Sequence, residues 1–274
     1  MNYSFIEVFK IDKLGKGIFS KILFAILVLI GCSVYFTPIG DPDFSGIYTW
    51  AYDVAQDYTL LLNPTTSLPP ITTGNILYAI HMLAADFLII MGATLYMAVC
   101  IRDYRMRHGI KDAGDSGYLI PVRYLSFPSL GNLTLRMIVI FCFSLVLTIP
   151  GIVFLLYLFL IFIIILPCAV MFPACYLSGD TGFGRSFRET VKITRGYYMI
   201  NVRNMTLIMM VYFILRGLAQ FIAGLLPSSS YVLLPVINVF TALSLGRYVA
   251  MVYLRMREMP GGPLNAIRTP HTRS

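Results

Sequence analysis

Charged residues are scarce in this sequence: they make up 12% of its 274 residues, whereas hydrophobic types make up 58%. Soluble proteins carry roughly a quarter charged residues. A water-soluble fold with so few charges would expose large apolar patches and aggregate, which excludes an ordinary soluble domain. The composition therefore predicts an all-α integral membrane protein whose surface is solvated largely by lipid.

Catalytic and metal-binding motifs are also missing. The chain has no HExxH, G-x-S-x-G, P-loop or G-x-G-x-x-G motif. Its three histidines are far apart and its five cysteines include no CxxC pair, which argues against a transition-metal site. We therefore expect a protein that is not an enzyme and binds no cofactor, with a membrane-embedded lipid-modifying enzyme as the weaker alternative.

Six apolar stretches are long enough to cross a bilayer, which takes a helix of about 20 residues. They cover residues 18–39, 76–99, 130–149, 152–176, 202–226 and 231–255. The third and fourth form a hairpin at Pro150 and Gly151, because proline followed by glycine is a turn signal. We expect one transmembrane domain over residues 1–274, with an outer loop at 40–74, inner loops at 100–129 and 177–201, and a tail at 256–274.

Lysine and arginine are absent from the whole stretch between Lys21 and Arg102. Basic residues stay on the cytoplasmic side of short loops. With both termini cytoplasmic, 19 of the 21 basic residues lie inside, none lies outside, and Arg216 and Arg247 fall within spans. The sequence thus predicts a multi-pass protein of a bacterial-type cell (plasma) membrane. The same asymmetry explains the net charge of +8 without a nucleic-acid partner.

The residues Leu29-Ile30-Gly31-Cys32 form a possible lipoprotein processing box, which leaves cleavage before Cys32 as an alternative. The apolar run continues through Phe36 and a long basic region precedes it. These features favour a retained span over a processed signal.

Two segments outside the spans are predicted to lie on the membrane surface. Residues 46–62 are rich in aromatics, which favours a helix on the outer surface over a ligand-binding lid. Residues 4–14 have the pattern of an amphipathic lead-in on the inner surface, with Phe5, Val8 and Phe9 on one side.

A basic stripe is predicted on a helix in the second inner loop. Positive residues recur there at spacings of three, four and three, which places them on one helical face: Arg185, Arg188, Lys192 and Arg195. Phe187, Val191 and Thr194 form a separate stripe. The sharper interpretation is a site for anionic headgroups of membrane lipids on the cytoplasmic face, and the alternative is generic basic charge beside a membrane.

Polar residues inside the predicted spans form a second candidate site. Asp86 and Arg216 each lie ten residues below the outer end of a span, about 15 Å deep, and equal depth with opposite charge predicts a mid-membrane pair. Gln220, Asn238 and Arg247 are the supporting polar residues. The pair is interpreted either as a structural contact or as part of a polar cavity for a substrate or proton.

The C-terminal half resembles one known group of proteins. Its pattern is a Pro-Gly hairpin, a span with an internal proline, a Ser-Phe-Arg segment and a following glycine, at Pro150, Gly151, Pro167, Ser186, Phe187, Arg188 and Gly196. It resembles the bacterial polytopic group that includes the membrane domain of glycerophosphoryl diester phosphodiesterases and related uncharacterised integral membrane families. The resemblance implies a helical membrane fold more than an activity, because the soluble catalytic domain of the phosphodiesterases has no counterpart here.

The functional expectation is a non-enzymatic, lipid-interacting or transport-associated subunit of a larger envelope assembly, with a protein partner or a second copy of itself. The alternative is a small transporter or permease that uses Asp86 and Arg216.

Overall fold

The computed structural model describes residues 5–12, 18–62, 68–107, 135–136, 138–142, 168, 170–177, 183–195 and 198–257. These residues are mostly helical and include no strand. A short 3-10 helix at Phe5–Phe9 is followed by α1 (Ile18–Phe36), α2 (Ser45–Gln56), a 3-10 helix at Tyr58–Leu62, α3 (Thr73–Arg107), α4 (Phe183–Arg195), α5 (Tyr198–Leu225) and α6 (Ser230–Arg257).

Among the described residues, four helices are long and apolar enough to cross a membrane: α1, α3, α5 and α6. Their length and composition suggest a membrane protein, and they coincide with four of the six predicted spans. The predicted hairpin over 130–149 and 152–176 lies mostly outside the described residues. The count of six spans and the cytoplasmic position of both termini therefore stay predictions.

Helices α1, α3 and α6 pack together, and α5 packs against α6. The close approach depends on small residues. A Cβ atom added to Gly246 of α6 would lie 2.7 Å from the carbonyl oxygen of Ala93 in α3. One added to Gly31 of α1 would lie 2.9 Å from the Cβ of Pro235 in α6. Half of the apolar window of α6 is buried but only 11% of that of α5, so α5 is the peripheral helix.

One end of the bundle, here called the α2 end, carries the chain between α1 and α3. Gly40 has φ +99°, a conformation that glycine adopts at no steric cost, and a Cβ there would lie 2.3 Å from the oxygen of Gly74. The buried side chain of Asn75 donates from Nδ2 to the carbonyls of Asp41 (3.1 Å) and Asp43 (2.8 Å). The start of α3 therefore holds the entry to α2.

Helix α2 and the following 3-10 helix are exposed along most of their length, and no residue of α2 is buried. Asp43 precedes α2 and accepts a hydrogen bond from the backbone N–H of Ser45 at 2.8 Å. Hydrogen bonds from the Ser45 side chain and backbone hold the pKa of the Asp43 carboxyl below its usual value. Placement of this helix on a membrane surface stays a prediction.

The opposite end, here called the α4 end, holds the amino-terminal segment (residues 5–12). Val8 is fully buried, and Phe9 stacks on Phe240 of α6 with ring centroids 6.0 Å apart. Phe240 lies 17 residues, about 25 Å, from the end of α6. The predicted surface lead-in is therefore wrong for these residues: they insert between α3 and α6.

Two side chains from the bundle anchor this inserted backbone. Arg247 of α6 donates from Nε to the carbonyl of Glu7 at 2.8 Å, and Tyr96 of α3 donates from its hydroxyl to the carbonyl of Ile11 at 2.8 Å. Irregular backbone at membrane depth is tolerated where protein groups satisfy its hydrogen bonds. Arg247 thus binds the amino-terminal segment, and its predicted role as a supporting residue of the membrane polar site stays a prediction.

Candidate functional site

Helix α4 contains the predicted basic stripe and has a distinct buried face. Ser186 and Thr190 are fully buried, and Ile193 and Thr194 are nearly so. The hydroxyl of Thr190 donates to the carbonyl of Ser186, and that of Thr194 to the carbonyl of Thr190, each at 2.8 Å. The two threonine hydroxyls therefore find acceptors within their own helix and can be buried.

An aromatic cluster fixes the start of α4. Phe183 lies 5.0 Å from Phe172 and 6.2 Å from Tyr176, measured between ring centroids. Phe172 is fully buried. The first turn of α4 is therefore anchored on the described stretch at 170–177.

The exposed side of α4 combines two kinds of residue. The basic side chains are all exposed, and none of them makes a hydrogen bond or ion pair within the described part of the chain: Arg185, Arg188, Lys192 and Arg195. At 100° per residue they span about 80° of the helix circumference. Phe187 and Val191 are exposed beside them, 41% each. Exposed apolar groups next to a basic stripe are typical of a helix lying in a membrane interface.

Counting through α1 places Asp86 and Arg216 at a similar level of the bundle, whereas the direct contact of Ala93 with Gly246 places Asp86 level with Val239 of α6. Leu27 of α1 faces Gly92 of the antiparallel α3, so Asp86, six residues earlier in α3, lies level with Ser33 of α1. Gly31 faces Pro235, which places Cys32 level with Leu234 of α6.

The contact between α5 and α6 gives the level of Arg216 along the bundle. Tyr212 of α5 lies beside Asn238 of α6, and four residues further on Arg216 is level with Leu234. Both charges therefore lie about one helical turn, ~5 Å, from the α2 end of α1 and α6. Asp86 is, however, 13 residues, about 20 Å, from the start of α3, and Arg216 is nine residues, about 14 Å, from the end of α5. The predicted midplane depth therefore stays a prediction.

The predicted direct ion pair is not formed. Both side chains are exposed, and the ion pairs of the described residues do not include Asp86 with Arg216. Arg216 instead donates to the hydroxyl of Tyr212 at 2.6 Å, and this hydroxyl lies 3.4 Å from Oδ1 of Asn238. The arginine is positioned by α5 and α6, whereas the carboxylate belongs to α3.

Tyr35 of α1 lies near the α2 end of the bundle. Its ring stacks on that of Tyr231 at the start of α6, with centroids 5.7 Å apart.

Two other polar residues near this level behave differently. Gln220 is exposed and makes no hydrogen bond within the described residues, so the predicted support for Arg216 comes from Tyr212 instead. His81 is held on both ring nitrogens: Nδ1 accepts from the backbone N–H of Ile39 at 3.2 Å, and Nε2 lies 3.3 Å from Oγ of Ser33. His81 is therefore part of the α1–α3 packing.

Sequence reasoning missed the contacts of Tyr35 and Tyr212 and the amino-terminal insertion. The sequence does indicate a contact between Tyr212 and Arg216, since Tyr212 lies four residues earlier on the same helical face. It does not indicate the stacking of Tyr35 on Tyr231, because the two rings come from different helices. At the α4 end, the hydroxyl of Tyr248 donates to Oδ1 of the buried Asn201 at 2.7 Å, a contact across 47 residues that no local pattern indicates.

No family model, curated protein or solved structure matches the chain. The resemblance to the phosphodiesterase membrane domain therefore stays a hypothesis. Within the described residues, no three His, Cys, Asp or Glu side chains come together in a group that could hold a metal ion.

Proposed function

We propose that this chain is a non-enzymatic, lipid-interacting subunit of a larger envelope assembly, which binds anionic lipid headgroups through α4. The observation that carries the proposal is that α4 combines a basic stripe, which has no ion-pair partner among the described residues, with the exposed side chains of Phe187 and Val191. The apolar groups enter the lipid while guanidinium and ammonium groups meet phosphate oxygens. The buried hydroxyl face keeps the helix in this orientation.

The proposal includes a topology of six spans in a cell membrane with both termini cytoplasmic. The charge asymmetry of the sequence supports it. Single cysteines at positions 57 and 112, in a protein whose five native cysteines are replaced, should label from opposite sides of intact cells. Labelling of both by an impermeant reagent from outside would contradict this topology.

Lipid binding is tested by neutralising the stripe. Replacing Arg185, Arg188, Lys192 and Arg195 with glutamine should remove the acidic lipid that co-purifies with the protein in ~0.5 M salt, where generic surface attraction is screened. Native mass spectrometry measures the retained lipid. Acidic lipid that persists in the quadruple variant at that salt would refute the proposal.

A charge-conserving variant provides the matched control. Changing the three arginines of the stripe to lysine keeps the charge but removes the bidentate donors of guanidinium. A site that recognises phosphate geometry should hold less acidic lipid in this variant than in the unsubstituted protein. Equal retention would reduce α4 to a generic basic surface.

A small permease that uses Asp86 and Arg216 is the second candidate. It is favoured by one observation: both charges lie within membrane-spanning helices and neither has an ion-pair partner among the described residues. Uptake of a solute into vesicles that contain the purified protein, abolished by Asp86→Asn, would support it.

A further inference from the structure

A small cleft lies between α5 and α6 at the α4 end of the bundle. Asn201 and Asn204 line it from α5, and Met251, Arg255 and Met256 are among the residues that line it from α6. Its volume is about 30 Å³, which gives room for about two groups the size of a water molecule. Because α5 and α6 pack against each other, the side chains from the two helices border one space.

A buried donor without an acceptor lies at this cleft. Asn201 is 1% exposed. Its Oδ1 accepts the hydroxyl of Tyr248, which lies deeper in the bundle. Nδ2 of the same amide has no hydrogen-bond partner among the described residues. Buried donors are nearly always satisfied by protein, water or a bound group, and the cleft is the space from which an acceptor can approach this amide.

The charge around the cleft favours an anionic acceptor. Residues 198–257, which contain both helices, include five arginines and no aspartate or glutamate. Arg255 is exposed and lines the cleft. Arginine pairs with phosphate through two parallel N–H donors. A buried amide of α5 and an exposed guanidinium of α6 at one small space therefore suit an anion that has several acceptor oxygens.

The cleft lies close to the ends of both helices. Asn201 is three residues from the start of α5 and Arg255 is two residues from the end of α6, so both lie within about 5 Å of a helix end. Each helix has 28 residues and is therefore about 42 Å long, about 12 Å more than a hydrocarbon core. An anion in the headgroup region or the adjoining water can reach the cleft without crossing hydrocarbon.

We propose that this cleft binds a phosphate group. Nδ2 of Asn201 donates to one phosphate oxygen, and the guanidinium of Arg255 donates to others. A phospholipid and a dissolved phosphate ester present the same oxygens, so either can supply the group. The proposal goes beyond the binding of anionic lipid by α4 and uses different residues, so each can fail alone.

The test compares compounds that share a phosphate group and differ in the rest. The protein is kept in a maltoside detergent, which contains no phosphate, and its thermal unfolding midpoint is measured against the concentration of each compound in ~0.15 M salt. The phosphate compounds are inorganic phosphate, glycerol 3-phosphate and dioctanoylphosphatidylcholine. Acetate and dioctanoylglycerol are the phosphate-free comparisons. At least one phosphate compound should raise the midpoint saturably, whereas the two comparisons should not.

The order of the affinities identifies the source of the phosphate. Tighter binding of the choline lipid than of the two dissolved phosphates identifies a phospholipid, and the reverse order identifies a dissolved phosphate ester. The choline lipid has no net charge, so the basic stripe of α4 does not hold it. An affinity for acetate equal to that for inorganic phosphate would overturn the proposal in favour of a carboxylate ligand.

Two variants locate the binding in the cleft. Asn201→Asp keeps the oxygen that accepts from Tyr248 and replaces the Nδ2 donor with a second oxygen, so it should weaken binding of the tightest compound at least about tenfold. Arg255→Gln, at an exposed position, should weaken it about tenfold. Arg203→Gln is the matched control, because Arg203 is exposed near the same end of α5 but does not line the cleft. It should change the affinity less than about twofold, since salt screens attraction at a distance.

Three results would overturn the proposal. A cleft that holds water alone gives no saturable shift with any phosphate compound. Unchanged affinity in both Asn201→Asp and Arg255→Gln would place the phosphate elsewhere. Loss of binding when the α4 stripe is replaced with glutamine would assign the phosphate to α4, whereas we expect the tightest compound to bind as before. If Asn201→Asp does not fold, the comparison of Arg255→Gln with Arg203→Gln decides.

Discussion

The polar groups at the two ends of the helix bundle differ in their environment: some are hydrogen-bonded within the chain, and others are exposed. At the α4 end, Arg247 and Tyr96 bond to carbonyls of the inserted segment, and Tyr248 bonds to the buried Asn201. Near the α2 end, Asp86 and Arg216 are exposed, separate and without ion-pair partners in the described part of the chain.

This difference distinguishes polar residues that stabilise the fold from polar residues that are available to bind a ligand. A buried polar group with partners inside the chain contributes to one packed arrangement. An exposed charge within a span also costs free energy to remove from water, but no contact inside the described chain offsets that cost. Its presence therefore favours a role in binding a ligand or partner. The same residue type, arginine, occurs in both settings, which makes the comparison testable by one substitution.

The largest expected effect comes from replacing each arginine with methionine. Arg247→Met leaves the carbonyl of Glu7 without its donor, and we expect the free energy of unfolding to fall by about 1.5–3 kcal/mol. Arg216→Met removes a charge that has no ion-pair partner in the described part of the chain, and it should leave the free energy of unfolding unchanged or raised. Unfolding by SDS in choline-lipid micelles measures both. A loss at Arg216 as large as that at Arg247 would break the comparison.

A smaller effect on stability is expected from changing one glycine in the closely packed helix α6 and one in the less buried helix α5. A Cβ at Gly246 would lie 2.7 Å from a backbone oxygen of α3, whereas one at Gly217 of α5 meets nothing within 4 Å. Gly246→Ala should therefore destabilise the protein by about 1–2 kcal/mol, overpacking exceeding the gain in helix propensity. Gly217→Ala should stabilise it by about 0.5–1 kcal/mol. Equal thermal midpoints for the two variants would contradict the close approach of α3 and α6.

The smallest effect concerns acid at the α2 end. The pKa of Asp43 is lowered in the folded protein, so its hydrogen bonds stabilise the start of α2 above about pH 4 and are lost as the pH falls below that value. Amide hydrogen exchange of Ser45, corrected for the intrinsic exchange rate, should therefore speed up as the pH is lowered below about 4. In Asp43→Asn this extra acceleration should disappear, and its persistence would exclude the carboxylate as the cause.

Local patterns predicted the helical class and the basic stripe on α4, because spacing along one helix determines which side chains share a face. The predicted equal depth of Asp86 and Arg216 also comes from counting along helices, and it stays a prediction. Whether they touch does not come from counting, because contact depends on how helices rotate about their axes. The stacking of Tyr35 on Tyr231 could not be found by counting either, because it depends on how α1 and α6 pack. Nor could the insertion of Val8, since a short apolar segment suits a membrane surface and a protein interior equally well.

The hydrogen bond between Arg247 and Glu7 joins residues 240 positions apart. During synthesis at roughly 5–20 residues per second, the segment around Glu7 would wait on the order of ten to fifty seconds before its partner in α6 exists. Its docking therefore belongs to the last stage of folding, after the helices that form its binding groove have assembled. Until then the apolar side chains of Val8 and Phe9 are exposed. A chaperone or another membrane protein can bind them most readily during this interval.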